Sequence, residues 1–164
     1  MPIRDALIPE YEMELKNTRK MLERVPMEKA DWKPHEKSMS LGRLAAHVAE
    51  TPIWMTKAII DDEIDFANGF ENNNPATKEE LIKLFDESAA KAMEELKKVS
   101  DESFLCNWVM RRGDRVYATM PKVIVARNFG MNHLYHHRGQ LSVYLRLLDV
   151  PVPGMYGPSA DEGR

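Results

Sequence analysis

An all-α fold, a four-helix bundle built from one domain over residues 1–164, is what the sequence predicts. Three observations carry that prediction. Apolar residues recur at helical spacing over four long segments, the breaks between them are short polar or Pro-containing stretches, and the chain has no repeat, low-complexity tract or Gly/Ser linker. Helices that each carry one apolar stripe satisfy those stripes best against one another. A chain of this size buries about 70% of its unfolded surface, so it builds a full core without disulfides or a structural metal.

The first helix is expected from about Leu7 to Val25, with Leu7, Tyr11, Leu15, Thr18, Met21 or Leu22, and Val25 on one side and Pro26 as its stop. A second helix starts at Ser40, an N-cap residue type, and runs to about Asp61. Its stripe is Leu41, Leu44, Ala45, Val48, Ile53 and Ile59, and Pro52 inside it predicts a kink. The Asn/Gly/Pro stretch FANGFENNNPA reads as a connection. Thr77 and Glu80 then form a capping box that opens a third helix, which ends near Val99. Leu81, Leu84, Phe85, Ser88, Ala92 and Leu96 make its buried face.

The next segment, DESFLCNWVMRRGDRVYATM, is irregular, with two short β-prone runs flanking Gly113-Asp114, and reads as an excursion or a small hairpin. Its Arg112-Gly113-Asp114 triplet is taken as a turn rather than an adhesion motif. Pro121 suits a first helical position, and the fourth and longest helix is expected from there to about Leu148, before Pro151 and Pro153.

Composition excludes several classes of function. Against 26 Asp and Glu stand 23 Lys and Arg, a formal charge of −3, so the chain lacks the basic surface of a nucleic-acid binder. No apolar run approaches the roughly 18 residues of a membrane span, and the N-terminus has no leader pattern, which predicts a cytoplasmic protein without a membrane partner. The single cysteine, Cys106, has no ligand-spaced neighbour and is expected as a small core residue.

Three of the five histidines, His133, His136 and His137, fall within HLYHH on the fourth helix. His133 and His137 are one turn apart and differ by about 40° in azimuth, so both imidazoles can converge on one cation. A third ligand must come from another helix. His47 is the candidate, because the small residues Ala45, Ala46 and Ala49 around it let a helix approach. Three neutral imidazoles leave a coordination position open, as catalytic zinc-type sites do.

Trp54, Phe129, Gln140 and Tyr144 lie along the histidine faces and are expected either to wall a substrate pocket or to pack as core. Glu50, one turn from His47, reads as a general base, as an acceptor behind the ligand, or as a surface carboxylate.

The string NHLYHHRGQLSVYLRLLDVPVPGMYGPSADE resembles the C-terminal signature of the DinB/YfiT-like superfamily, and LGRLAAHVAETPIW resembles that family's first histidine motif. The resemblance covers essentially the whole chain. It implies an up-down-down-up bundle with a long crossover, a homodimer, and a divalent metal, zinc or nickel most often. The metal would be held by one histidine of the second helix and an H-x-x-x-H pair of the last, roles that fall on His47, His133 and His137. His136 stands beside the ligands without a ligand role.

Relatives of known activity include thiol transferases acting with bacillithiol, mycothiol or glutathione, and a thiol-dependent maleylpyruvate isomerase. The leading expectation is therefore a metal-dependent thiol S-transferase for small-molecule substrates, with Arg43 and Arg138 either holding a carboxylate of the thiol or standing as surface charges. A hydrolase using water at the same site, with Glu50 as base, is the alternative. A non-enzymatic, stress-associated metal-binding dimer is the third reading.

Overall fold

Four long helical rods carry the apolar stripes, and a small sheet is added to them. The computed structural model describes residues 1–69 and 72–163. Phe70 and Glu71 of the expected Asn/Gly/Pro connection lie outside the described residues.

Helix α1 spans Ile3–Leu22 and buries Leu7, Tyr11, Leu15, Met21 and Leu22. It begins a turn earlier than its stripe predicts. The reason is long-range: Asp101 Oδ1 accepts from the Ile3 N–H at 2.8 Å, capping a helix start that has no local side-chain cap. The second rod is α2, Leu41–Glu50, followed by α3, Pro52–Ile60. Ser40 caps α2 by accepting from Arg43 N at 3.3 Å. Pro52 is the first residue of α3, so the expected kink is a one-residue break at Thr51.

The third rod is α4, Lys78–Lys98, with both halves of the Thr77/Glu80 capping box formed. A short helix follows, α5 (Asp101–Leu105), and then a sheet.

That sheet corrects the all-α expectation. Strand β1, Glu63–Asp65, pairs in parallel with β2, Asn107–Arg112, which pairs antiparallel with β3, Arg115–Pro121. Gly113, at φ 57°, turns β2 into β3 and donates its N–H to Asp65 Oδ1 at 2.9 Å. The Arg112-Gly113-Asp114 triplet is a hairpin turn. Arg111 holds the parallel pair by bonding both Glu63 and Asp65, while Trp108 reaches the core and is fully buried.

The fourth rod is continuous but not uniform. Helix α6, Lys122–Val125, passes into a π-helical stretch at Ala126–Asn132 and then into α7, His133–Leu147. Pro121 stands just before the first helical residue rather than on it. At the far end Asp149 takes the left-handed conformation at φ 57°. Val150 N then donates to Leu145 O at 3.0 Å and Asp149 N to Arg146 O at 3.1 Å, a Schellman ending ahead of Pro151.

Leucines 41, 44, 81, 96, 134, 141 and 145 and the Phe85 and Phe104 rings fill the core between the rods. Cys106 is not among them, contrary to expectation: it is exposed, its Sγ–H directed at Glu102 O at 3.4 Å. No helix among the described residues is long and apolar enough to cross a membrane.

Candidate metal centre

Helix α2 packs against α7, and α3 against the π-helical stretch, so the two histidine motifs meet across one interface. The approach of α3 is close because position 130 is glycine. A Cβ there would lie 3.0 Å from Met55 Cε and 3.2 Å from Met55 Cα.

At that interface His47, His133 and His137 bring one ligand atom each within 4.8 Å of one another, the one such cluster of His, Cys, Asp or Glu among the described residues. His133 Nε2 lies 3.1 Å from His47 Nε2 and 2.8 Å from His137 Nε2. All three rings meet edge to face, with centroids 4.3–4.9 Å apart. All three are partly buried.

The outer nitrogens have their own partners. Gln140 Oε1 accepts from His137 Nδ1 at 2.8 Å, which places the proton on Nδ1 and leaves Nε2 a bare lone pair. His47 Nδ1 faces Glu50 Oε2 at 3.9 Å, which favours the same tautomer. His133 Nδ1 is buried with no hydrogen-bond partner among the described residues. Burial, followed by repulsion from the neighbouring rings, pushes His133 down to about 4. Burial also takes His137 to about 4, against the opposing Gln140 bond.

The residues present therefore fit a divalent cation. Three neutral imidazoles point lone pairs at one spot, and a single Nε2–H on His133 can satisfy only part of that demand. A divalent cation held by His47, His133 and His137 would satisfy all of it.

Glu50 is only 2% exposed, and both its oxygens are engaged. Oε1 accepts from Asn73 N at 2.5 Å, and Oε2 from Arg43 Nη2 at 3.0 Å. Burial acts to raise its pKa, but His47, Arg43 and the Asn73 N–H together hold it down at about 2. Of the roles its spacing allowed, the geometry favours the acceptor behind His47. Arg43 is held by that carboxylate and by Asn72 and Asn73, and Arg138 is buried against Glu14, so neither stands free to take a ligand.

Beside His133 opens a cleft of about 500 Å³. Trp54 and Phe129 line it, their rings 5.7 Å apart. The other two pocket candidates do not. Gln140 is occupied behind His137, and Tyr144 donates to Met39 O at 3.2 Å and packs edge-on against Trp32.

A family model described as the DinB family matches residues 6–164. The chain belongs to the DinB family. It is 25% identical over 158 residues to the uncharacterized protein YrdA of Bacillus subtilis, covering 96% of this chain and 90% of that one. A DinB-like protein of Bacillus cereus superposes with a TM-score of 0.72 at 22% identity, over 94% of this chain and 98% of that one. The DinB-like YjoA of Bacillus subtilis gives 0.70 at 17% identity, over 97% and 99%. At these identities the solved structures speak for the fold.

In this DinB-family chain the cleft also contains residues that sequence reasoning missed. Asn128, Asn132 and His136 belong to the last rod, but at α-helical spacing Asn132 and Asn128 fall about 100° and 140° from His133, off the stripe that pointed to Phe129, and both sit in the π-helical stretch that such spacing does not describe. Phe66 and Met110 come from the turn after β1 and from strand β2. No local pattern announces these two, because only the long-range pairing of β1 with β2 brings them here.

Proposed function

We propose that this DinB-family protein is a metal-dependent thiol S-transferase that joins a low-molecular-weight thiol to a small electrophile, with zinc or nickel held by His47, His133 and His137. One observation carries the reading: three imidazole nitrogens converge on one spot, and one of the three rings, His133, lines an open cleft. A structural site is closed on all sides, whereas a catalytic one keeps a position for a reactant. A cation held there supplies Lewis acidity, which lowers the pKa of a thiol from its ordinary value of about 8.5.

The chain's own residues do the rest. Gln140 fixes the His137 tautomer so that Nε2 faces inward, and the Glu50 carboxylate, 3.9 Å from His47 Nδ1, favours the same tautomer there. The Trp54 and Phe129 rings give the electrophile an apolar wall beside His133. In the net reaction the S–H bond breaks and its proton goes to solvent. A C–S bond forms, and the leaving group departs with its bonding pair.

The hydrolase reading draws less support, since Glu50 is engaged at both oxygens and held at about 2, a poor base at neutral pH. The same proposal takes the four rods as an up-down-down-up bundle with a long crossover and the protein as a cytoplasmic homodimer. Val143 and Leu147, one turn apart on α7 and 56% and 57% exposed, support a second copy there.

The test is elemental analysis of untagged protein, comparing wild type with His133→Ala and with a His47→Ala/His137→Ala double variant, followed by conjugation assays. About one divalent ion per chain is expected in wild type and none in the variants. Conjugation of monochlorobimane should require both metal and an added thiol such as bacillithiol or glutathione. Wild-type protein that takes up neither zinc nor nickel overturns the proposal. So does metal-loaded protein that is silent with every thiol yet cleaves an ester unaided.

A further inference from the structure

The cleft beside the histidines has a composition that selects among electrophiles. Its volume, about 500 Å³, suits a small molecule. Trp54 and Phe129 meet at an interplanar angle of 35°, and Trp54 stands edge-on to His133 at 6.5 Å, so flat π surfaces run up to the metal site. Phe66 and the Met110 thioether add further apolar surface, the latter adaptable in shape. The π-helical stretch contributes two carboxamides to the same lining, Asn128 and Asn132, and both residues are exposed. Each carboxamide offers a donor and an acceptor.

Charge is what the lining lacks. None of its residues is Lys, Arg, Asp or Glu. Several cations on or beside the same elements are engaged elsewhere: Arg127 with Glu10 at 3.5 Å, Lys122 with Asp62 at 2.8 Å, Lys57 with Asp61 at 3.3 Å, and Arg111 with Glu63 and Asp65. In the metal-free protein an anionic body buried here would lose hydration without gaining a fixed countercharge, whereas an aromatic amide, ketone or nitro compound would lose little; the cation, once held at the histidines, would be matched by the thiolate.

We infer that the cleft binds the electrophilic substrate, and that this substrate is an uncharged, flat aromatic molecule carrying a neutral hydrogen-bonding group. Its role as the electrophile rests on the transferase reading above; the selectivity of the cleft does not. The aromatic body lies against Trp54 and Phe129, and its polar group is read by Asn128 and Asn132.

Calorimetric titration of metal-free protein with 2-naphthamide and with 2-naphthoate tests this, because the two share a ring system and differ in charge. The amide is expected to bind at least about tenfold more tightly than the carboxylate. Phe129→Ala and Met110→Ala should each weaken the amide by about fivefold or more. Asn132→Ala, at an exposed position that leaves the core intact, should weaken the amide while leaving naphthalene itself unchanged. Naphthoate binding as tightly as the amide overturns the inference, as does amide binding that all three variants leave unchanged. Because the readout needs no metal, failure of the transferase reading leaves a positive result standing. Conversely, full zinc occupancy and thiol turnover without amide binding overturn this inference alone.

Discussion

Each histidine of the cluster has two ring nitrogens, and the surroundings of the ring decide whether a proton is welcome. At His133 and His137 it is not: both are held near 4, foremost by burial, against an ordinary value of 6.5. In metal-free protein the folded state therefore refuses protons that the unfolded chain accepts between pH 6.5 and 4. The unfolded state binds more protons in that window, so stability rises with pH across it and levels off above 6.5. Glu50 acts lower down, because its folded value of about 2 lies under the ordinary 4.5, and its contribution is lost as pH falls through that range. Urea denaturation of metal-free protein at a series of pH values reads both. A His133→Gln/His137→Gln variant is expected to flatten the loss between pH 6.5 and 4 while keeping the loss below it. An unchanged slope in the upper window would assign the acid sensitivity to other groups.

The element that delivers His133 to the cluster is the π-helical stretch, which Gly130 allows to seat against α3. An added methyl at position 130 meets Met55 backbone as well as side chain, at 3.2 Å, so relief requires moving a helix rather than a rotamer. Gly130→Ala is expected to cost about 1–3 kcal/mol and to weaken zinc uptake, since the shift lies three residues before a ligand. Gly139→Ala is the control. Nothing lies within 4 Å of its Cβ position and it sits in an ordinary helix, so alanine there should stabilise by about 0.5–1 kcal/mol. Thermal melts with zinc titrations of both variants separate close packing from helix propensity; equal behaviour would refute the packing account. The two glycines look alike in the sequence. The four rods and the Thr77/Glu80 box were legible there because each is a local, periodic pattern. The π-helical stretch keeps its apolar residues close to α-helical spacing and so hides. Strand β1 hides too, being Glu63-Ile64-Asp65, three residues too few for their alternation to stand out and with a partner 46 residues onward in register.

Across the whole molecule, the least legible contacts were those of residues 149–163, a stretch that belongs to the family-like C-terminal string but whose prolines mark only the end of the last helix. In the structure this tail is tied back onto α1 and α7. Tyr156 donates its hydroxyl to Glu14 at 2.8 and 2.9 Å and accepts from Arg138 at 2.6 Å, while Arg138 and Glu14 pair at 2.6 Å, each residue 3% exposed. Arg138 also donates to Thr18 Oγ1 and to the Glu14 carbonyl, both at 3.1 Å, so one guanidinium joins both helices and the tail. Arg138 directly follows His137, which makes the same pair a fix on the rotation of α7 that presents His133 and His137 to His47 on α2. Breaking a buried pair from one side strands the other charge. Arg138→Met should therefore cost about 3–5 kcal/mol, a fall in Tm of about 6–20 °C for a domain of this size. Removing both charges, as Glu14→Leu/Arg138→Met, should return more than half of that loss, since no unpaired ion is left inside. The exposed Arg19–Asp86 pair at 2.9 Å sets the scale for comparison, and Arg19→Ala should stay within about 1 kcal/mol. If Arg138→Met melts no lower than Arg19→Ala, the pair is not what holds the tail and the last helix in place. The Asn17 bond to Met155 O at 3.1 Å and the Arg146–Asp161 pair at 2.6 Å are then the contacts that remain to do so.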